Sequence, residues 1–240
     1  MTHGIVLLSG GLDSTTVAAH AVRAGIEVRG LCVRYGQTHV READSALRVA
    51  ERLGIGIDIV DASFYRELAW NSSLTGQEAA IPLGRDAEGM DAEIPNTYVP
   101  LRNTFFVTLA AAALESWMLA LIERDGIDPE SLDPAIYVGA NAIDYSGYPD
   151  CRPEFYDAIV KVLRLGSKLG TAYGVPIRVE APIIRMSKAE IVRYGYELGA
   201  PLDLTWSCYT GGDAPCGGCD SCILRSNGFA EAGLPDPALS

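Results

Sequence analysis

The residues best suited to chemistry lie in a nine-residue string near the start of the chain, Leu8-Ser9-Gly10-Gly11-Leu12-Asp13-Ser14-Thr15-Thr16. It follows a short apolar run, Gly4 to Leu8, and opens into Val17-Ala18-Ala19-His20-Ala21-Val22, so strand, glycine turn and helix is the pattern it predicts. A helix starting near Ser14 aims its unpaired amides and the positive end of its dipole at whatever occupies the turn, and an anion suits that position. Adjacent glycines let the backbone come close to the ligand. Ser9, Ser14, Thr15 and Thr16 add hydroxyl donors, so a polyphosphate or pyrophosphate can be held with little cationic side chain nearby. A bare Gly-Gly is most often a tight turn and nothing more; here the whole string favours a ligand. It is neither a Walker loop, lacking Gly-Lys-Ser/Thr, nor the dinucleotide G-x-G-x-x-G.

The second cluster is Cys208-x7-Cys216-x2-Cys219-x2-Cys222, four thiols among Gly211, Gly212, Gly217 and Gly218. Four thiolates at this spacing suit tetrahedral Zn²⁺ in a closed, structural site; an iron-sulfur cluster is the competing reading, and a redox dithiol fits four cysteines less well. Cys32, mid-strand between Leu31 and Val33, reads as a buried inert thiol. Cys151 stands between Asp150 and Arg152 with no histidine near in sequence to serve as its base, which weighs against a covalent role.

A third set has the means to recognise a planar heterocycle. Arg102 and Asn103, with Asp144, Tyr145, Tyr148, Asp150 and Arg152, offer acceptors for ring and exocyclic N–H groups and faces for stacking; loop scaffolding is their ordinary alternative. Lys188, at a helix start, can neutralise phosphate, although an exposed lysine is usually only solvated. His39 more often caps or bonds locally than catalyses.

These residues need a frame to bring them together. Strands are expected over 4–8, 27–35, 55–61, 135–140 and 175–181, with helices from Ser14, over Val40 to Leu53, from Phe105 to about Ile122, from Phe155 to Tyr173, and from a Ser187 cap. Strand and helix alternate, as a Rossmann-like, doubly wound, parallel five-stranded α/β sheet requires, and ligands of such sheets bind beyond the carboxyl ends of the strands. Residues 64–100 are rich in breakers and long for a connection, which makes them a lid candidate against the alternative of a plain surface loop. The division expected is the α/β domain over 1–200 and a zinc-binding segment over 201–240 packed on it.

A hydrophobic share of 48% is enough for a real core, and a net charge of -12 argues against a broad nucleic-acid surface or anionic lipid. Three lysines stand against sixteen arginines, so arginine must make most contacts to anions. No apolar segment is expected to reach the length of a membrane span, and no signal-peptide layout precedes the first strand, so a cytoplasmic protein is expected.

Ser-Gly-Gly-x-Asp-Ser after an N-terminal strand resembles the PP-loop of the ATP pyrophosphatases, enzymes of the adenine nucleotide alpha hydrolase-like fold that split ATP into AMP and pyrophosphate. Together with Tyr35-Gly36-Gln37-Thr38-His39, Pro100-Leu101-Arg102-Asn103, the stretch from Asp144 to Pro153, and Trp206-Ser207-Cys208-Tyr209 with its three later cysteines, the chain resembles the 7-cyano-7-deazaguanine synthase family. The resemblance implies a carbon–nitrogen ligase that turns 7-carboxy-7-deazaguanine, ammonia and two ATP into 7-cyano-7-deazaguanine, two AMP and two pyrophosphate. It also implies catalytic roles for Ser9, Asp13, Ser14 and Lys188, an ATP cradle over Leu8 to Thr16, Mg²⁺, one structural Zn²⁺ per chain and a homodimer. Two rivals stay open: the same adenylation with another nucleophile, as in deazaguanine–protein conjugation or tRNA thiolation, and a zinc-stapled sensor that binds ATP without turnover.

Overall fold

The computed structural model describes residues 2–37, 41–76, 81–84, 94–142 and 148–239. Its frame is a parallel sheet in the order β3-β2-β1-β4-β5, formed by β1 (Thr2–Leu7), β2 (Glu27–Arg34), β3 (Gly56–Asp61), β4 (Asp133–Tyr137) and β5 (Arg178–Glu180). The expected five strands are all present. β4 and β5 are shorter than the apolar runs that announce them, because those runs continue into the turns and loops that flank the strands.

Apolar residues alternate to both faces of the sheet, and helices cover both. One face packs α1 (Leu12–Arg23), α2 (Arg41–Leu53), α7 (Lys188–Leu198) and α8 (Asp220–Ala232) around Val6, Leu8, Val17, Ala46, Val49 and Ile191. The other packs α4 (Arg102–Leu119) and α5 (Pro153–Gly166) around Ile5, Leu31, Val107, Leu114, Ile136 and Ile159. Core side chains of this kind each contribute about 1.5–3 kcal/mol by leaving water. A single turn, α3 (Tyr65–Leu68), follows β3.

Several local features follow from identifiable residues. Gly54 ends α2 with φ +69°, a backbone state that costs glycine nothing. Ser187 caps α7 in a reciprocal box, accepting from the Glu190 N–H at 3.3 Å while the Glu190 carboxylate accepts from the Ser187 N–H at 2.7 Å. The helix expected over 155–173 is instead two. Ser167 takes extended angles and caps α6 (Lys168–Ala172) by accepting from the Gly170 N–H at 3.0 Å, so a serine's preference for a cap outweighs the apolar periodicity.

Helix α4 corrects another expectation. With a π-helical turn over Ala120–Arg124 it makes a continuous 23-residue helix, Arg102–Arg124, with an 18-residue stretch of mean hydropathy 1.9, long and apolar enough by length and composition to cross a membrane. Alanines and the interspersed Thr108, Glu115 and Ser116 hide that length in the sequence. Val107, Ala110, Ala111, Leu114 and Met118 are buried on its inner side, and it lies against β1 and β4 as a core helix.

The described parts of residues 64–100 are tied to their surroundings. Ser73 N–H donates to Asn96 O at 2.9 Å, Thr97 and Tyr148 hydroxyls meet at 2.6 Å, and Gly84 N–H donates to Gly218 O at 2.8 Å in the cysteine turn.

Candidate active site

Strand order reverses between β1 and β4, and the crevice at their carboxyl ends is where a doubly wound sheet binds its ligand. The loop Leu8–Gly11 leaves β1 here. Ser14 Oγ organises it, accepting from the Ser9 N–H at 3.2 Å, meeting Ser9 Oγ at 3.0 Å and donating to Gly11 O at 3.2 Å. The first bond inside α1 runs from Thr15 N–H to Gly11 O at 3.0 Å, so the N–H groups of Leu12, Asp13 and Ser14 precede the helical ladder and are directed at the crevice.

The two glycines divide their labour differently from the sequence reading. Gly10 (φ +82°) faces α2, where an added Cβ would lie 2.5 Å from Ala46 N and 2.6 Å from Glu42 O, so this glycine lets a helix approach, not a ligand. Gly11 has an ordinary φ of -79°, and nothing lies closer than 3.5 Å to an added Cβ. Thr15 and Thr16 are also not donors to the crevice. Both are fully buried beneath it, Thr16 Oγ1 donating to Leu12 O at 3.0 Å and Thr15 Oγ1 having no hydrogen-bond partner among the described residues. A helix sends successive side chains round its axis, so only part of a contiguous string can face one ligand.

Across the crevice, Lys188 at the first position of α7 reaches Asp13, its Nζ lying 2.9 and 2.8 Å from the two carboxylate oxygens. The lysine is nearly buried, which makes it part of the site and not a solvated surface charge. Gly139, just past β4, closes the floor: an added Cβ there would come within 2.9 Å of Ser14 N.

The other end of the same cavity is aromatic. Tyr35, Phe106, Tyr148, Tyr156 and Tyr209 line it, with Arg102, Asn103 and Cys151 among them. The Arg102 guanidinium lies 5.6 Å from the centre of the Tyr35 ring and donates to the Tyr35 hydroxyl at 3.3 Å. Asp150 is buried but does not line the cavity: its carboxylate accepts from the Asn103 N–H at 3.1 Å, capping the start of α4, while Asn103 Nδ2 donates to Asp150 O at 3.1 Å and to Cys151 Sγ at 3.3 Å. Burial, reinforced by the charge of Asp150, pushes the Cys151 thiol up to about 12. Arg152 is exposed and outside the cavity wall. Asp144, Tyr145 and His39 lie outside the described residues. Of the residues expected to recognise a heterocycle, then, Arg102, Asn103 and Tyr148 are brought together, and Asp150 supports them from behind.

The C-terminal segment forms the roof. Trp206 N–H donates to Gly10 O at 2.9 Å and Trp206 Nε1 to Cys208 O at 3.0 Å, so one residue joins the glycine loop to the cysteine cluster. The four sulfurs of Cys208, Cys216, Cys219 and Cys222 all lie within 4.8 Å of one another, a set suited to zinc. Hydrogen bonds from Cys222 and neighbouring groups bring the Cys219 thiol down to about 5, favouring the thiolate that a metal binds. From α8, Arg225 pairs with Asp236 at 2.6 and 2.8 Å and donates to Thr205 Oγ1 at 2.8 Å and Ser207 Oγ at 3.1 Å, tying helix, tail and roof together. Arg225 and Gly139 were not singled out as site residues in the sequence, and Trp206 and Ser207 entered only as part of a motif that carries the family resemblance, with no role of their own.

Comparison with known proteins places the chain in a family. The family described as "Queuosine biosynthesis protein QueC" matches residues 3–233. The 7-cyano-7-deazaguanine synthase of Thermoplasma acidophilum is 47% identical over 233 residues, 97% of this chain and 90% of that protein. That of Trichodesmium erythraeum is 44% identical over 235 residues, 98% and 99% of the two chains. Among solved structures, NMN synthetase from Francisella tularensis matches with a TM-score of 0.42 at 15% identity, covering 98% of this chain and 77% of that one.

A five-stranded parallel sheet with a glycine–serine loop after its first strand and a four-cysteine cluster beside it defines a doubly wound α/β protein. The chain belongs to the QueC family, the 7-cyano-7-deazaguanine synthases of queuosine precursor biosynthesis.

Proposed function

We propose that the crevice carries out two successive adenylations on one substrate, converting 7-carboxy-7-deazaguanine and ammonia to 7-cyano-7-deazaguanine with two ATP consumed. The observation that carries this reading is a single cavity with amide donors and the Asp13–Lys188 pair at one end and Arg102 among aromatic rings at the other. The triphosphate lies on the N–H groups of Leu12 to Ser14 with Ser9 and Ser14 hydroxyls beside it, and Lys188 takes up charge on the departing pyrophosphate. Along β2, Leu31 O accepts from Leu8 and Arg34 O from Ala62, so alternation turns the Val33 N–H and C=O towards the cavity, where β1 has already left the sheet; they suit the edge of the adenine ring.

A carboxylate oxygen attacks the α-phosphorus and pyrophosphate leaves. Ammonia then displaces AMP from the acyl adenylate, giving the amide. In the second round the amide oxygen is adenylated, and loss of AMP and a proton leaves the nitrile. The cradle serves both rounds because only the nucleophilic oxygen changes. The site's own work is to hold the reacting atoms in line, to stabilise the leaving pyrophosphate and to shield the adenylate from water.

Asp13 and Glu42 are the carboxylates on the cavity wall, and Asp13, a hard oxygen donor beside the phosphate loop, fits Mg²⁺; when bound, that ion screens the phosphate charge. Cys208, Cys216, Cys219 and Cys222 hold one structural Zn²⁺, a reading supported by four converging sulfurs that leave no ligand position for water. The protein works in the cytoplasm as a homodimer, and the exposed apolar side chains of Phe64, Leu68 and Trp70 support the pairing.

Incubation with ATP, ammonium and the carboxy-deazaguanine, followed by mass spectrometry, tests the reaction. Nitrile with two AMP per product is expected. ATP binding without AMP release, or AMP release with the deazaguanine joined to a protein amine, would replace it with one of the rivals.

A further inference from the structure

Three cationic side chains among the described residues line the cavity, and they are not equivalent. Lys188 is paired with Asp13, and Arg225 with Asp236. Arg102 has no carboxylate within ion-pair distance among the described residues; its partners are the hydroxyl and ring face of Tyr35. The chain places it there at a cost. Leu101, immediately before it, has φ +54°, the one non-glycine residue with positive φ among those described, and such a state costs an L-residue about 1–2 kcal/mol. The exposed Leu101 side chain gains little burial in return. What the turn does achieve is to start α4 so that Arg102 enters the cavity while the Asn103 N–H meets Asp150 behind it.

We infer that Arg102 is the specificity-determining counter-charge for the carboxylate of the heterocyclic acid, an assignment that rests on the reaction proposed above and adds the recognition step. A partly buried guanidinium flanked by uncharged phenols is stabilised most by an anion, and a planar fork of N–H donors matches a carboxylate's two oxygens. The Tyr35 hydroxyl accepts from Arg102, so it orients the fork without neutralising it. The neutral amide of the second round gains hydrogen bonds at this position but no charge pairing, and the neutral nitrile gains less.

The assignment predicts an asymmetry between the two half-reactions. With saturating ATP, R102Q raises KM for the acid about 30-fold or more, the loss of a charge-assisted pair, and raises KM for the separately supplied amide less than about fivefold. R102K, which keeps the charge, restores most of the acid's KM. Equal losses for acid and amide in R102Q would overturn the assignment and leave Arg102 a structural residue. If R102Q does not fold, a crystal of the unaltered protein with the acid decides: the carboxylate lies on the guanidinium, or the proposal fails. Failure of the underlying reaction is separately visible, since the unaltered protein would then turn over neither acid nor amide.

Discussion

The two ends of the cavity are built in opposite ways. At the phosphate end the donors are main-chain N–H groups and two hydroxyls from one contiguous string, held by a strand, a turn and the first turn of a helix. At the aromatic end the groups are side chains, Tyr35, Arg102, Tyr148 and Tyr209, delivered by four segments far apart in the chain. Polyphosphate is common to many substrates and is read by backbone, which any sequence has once the turn is made. A particular heterocycle has to be read by side chains, and only the completed fold brings those together. Lys188 is the exception at the phosphate end, reaching Asp13 from 175 residues away.

The strongest way to break this contrast is to remove Asp13, the one charged group the phosphate string supplies. Asp13→Ala is expected to lower AMP formation about 10³-fold, as for loss of a group that stabilises transition-state charge. It leaves Lys188 without that carboxylate but touches no core side chain, so the circular dichroism spectrum stays that of the unaltered protein. AMP release within tenfold of normal would remove Asp13 from the mechanism.

Next comes the roof, which depends on the cysteine cluster. Cys219 is fully buried and caps α8, so Cys219→Ser should lose the metal, measured as zinc per chain, and lower Tm by about 10 °C, several kcal/mol of metal-linked stability. Because Trp206 joins the cluster to Gly10, ATP affinity should fall with the zinc content, as followed by calorimetric titration. A variant that lost zinc yet bound ATP normally would uncouple the roof from the cradle.

A smaller effect separates the two glycines. Gly10→Ala has both a positive φ and backbone atoms 2.5–2.6 Å from the new Cβ, and should cost about 2–4 kcal/mol in denaturant unfolding. Gly11→Ala meets nothing closer than 3.5 Å and should cost less than about 1 kcal/mol, while its methyl, beside the Leu12 N–H, raises KM for ATP. Equal destabilisation would show that the loop's conformation, not the approach of α2, requires Gly10.

This division also explains what the sequence did and did not disclose. The sheet, the phosphate string and the cysteine set are legible because each is local: periodicity, a fixed spacing and adjacent residue types suffice. That Gly10 serves α2 and that Asp150 caps α4 are properties of packing partners 30 or more residues away, with no local signature, whereas the inward turn of Thr15 and Thr16 follows from the rotation of side chains round the helix. Gly139 looked like the end of a strand, and Trp206 like a neighbour of cysteines. The break at Ser167 was readable in principle, since Gly166-Ser167 is a stop followed by a cap, but the apolar pattern runs straight through it.

Cys151 gives the smallest expected effect and the sharpest test of whether the aromatic end only recognises. Its thiol lines the cavity in which we propose that an acyl adenylate forms, yet burial and the nearby Asp150 carboxylate hold it up to about 12, so the thiolate is scarce at neutral pH. Cys151→Ala should therefore keep kcat within about threefold, whereas loss of a covalent nucleophile would cost about 10³-fold or more. The same shift fixes a pH dependence. An unfolded thiol titrates near 8.5, so the folded state's tighter hold on the proton contributes in full below about pH 8.5 and is lost as pH rises towards 12. Cys32, pushed up to about 12 chiefly by burial, adds to the same slope. Unfolding free energy of the unaltered protein should thus fall between pH 9 and 11, and Cys151→Ala should fall less steeply; an unchanged slope would mean that this thiol is not the buried, protonated group at the substrate's side.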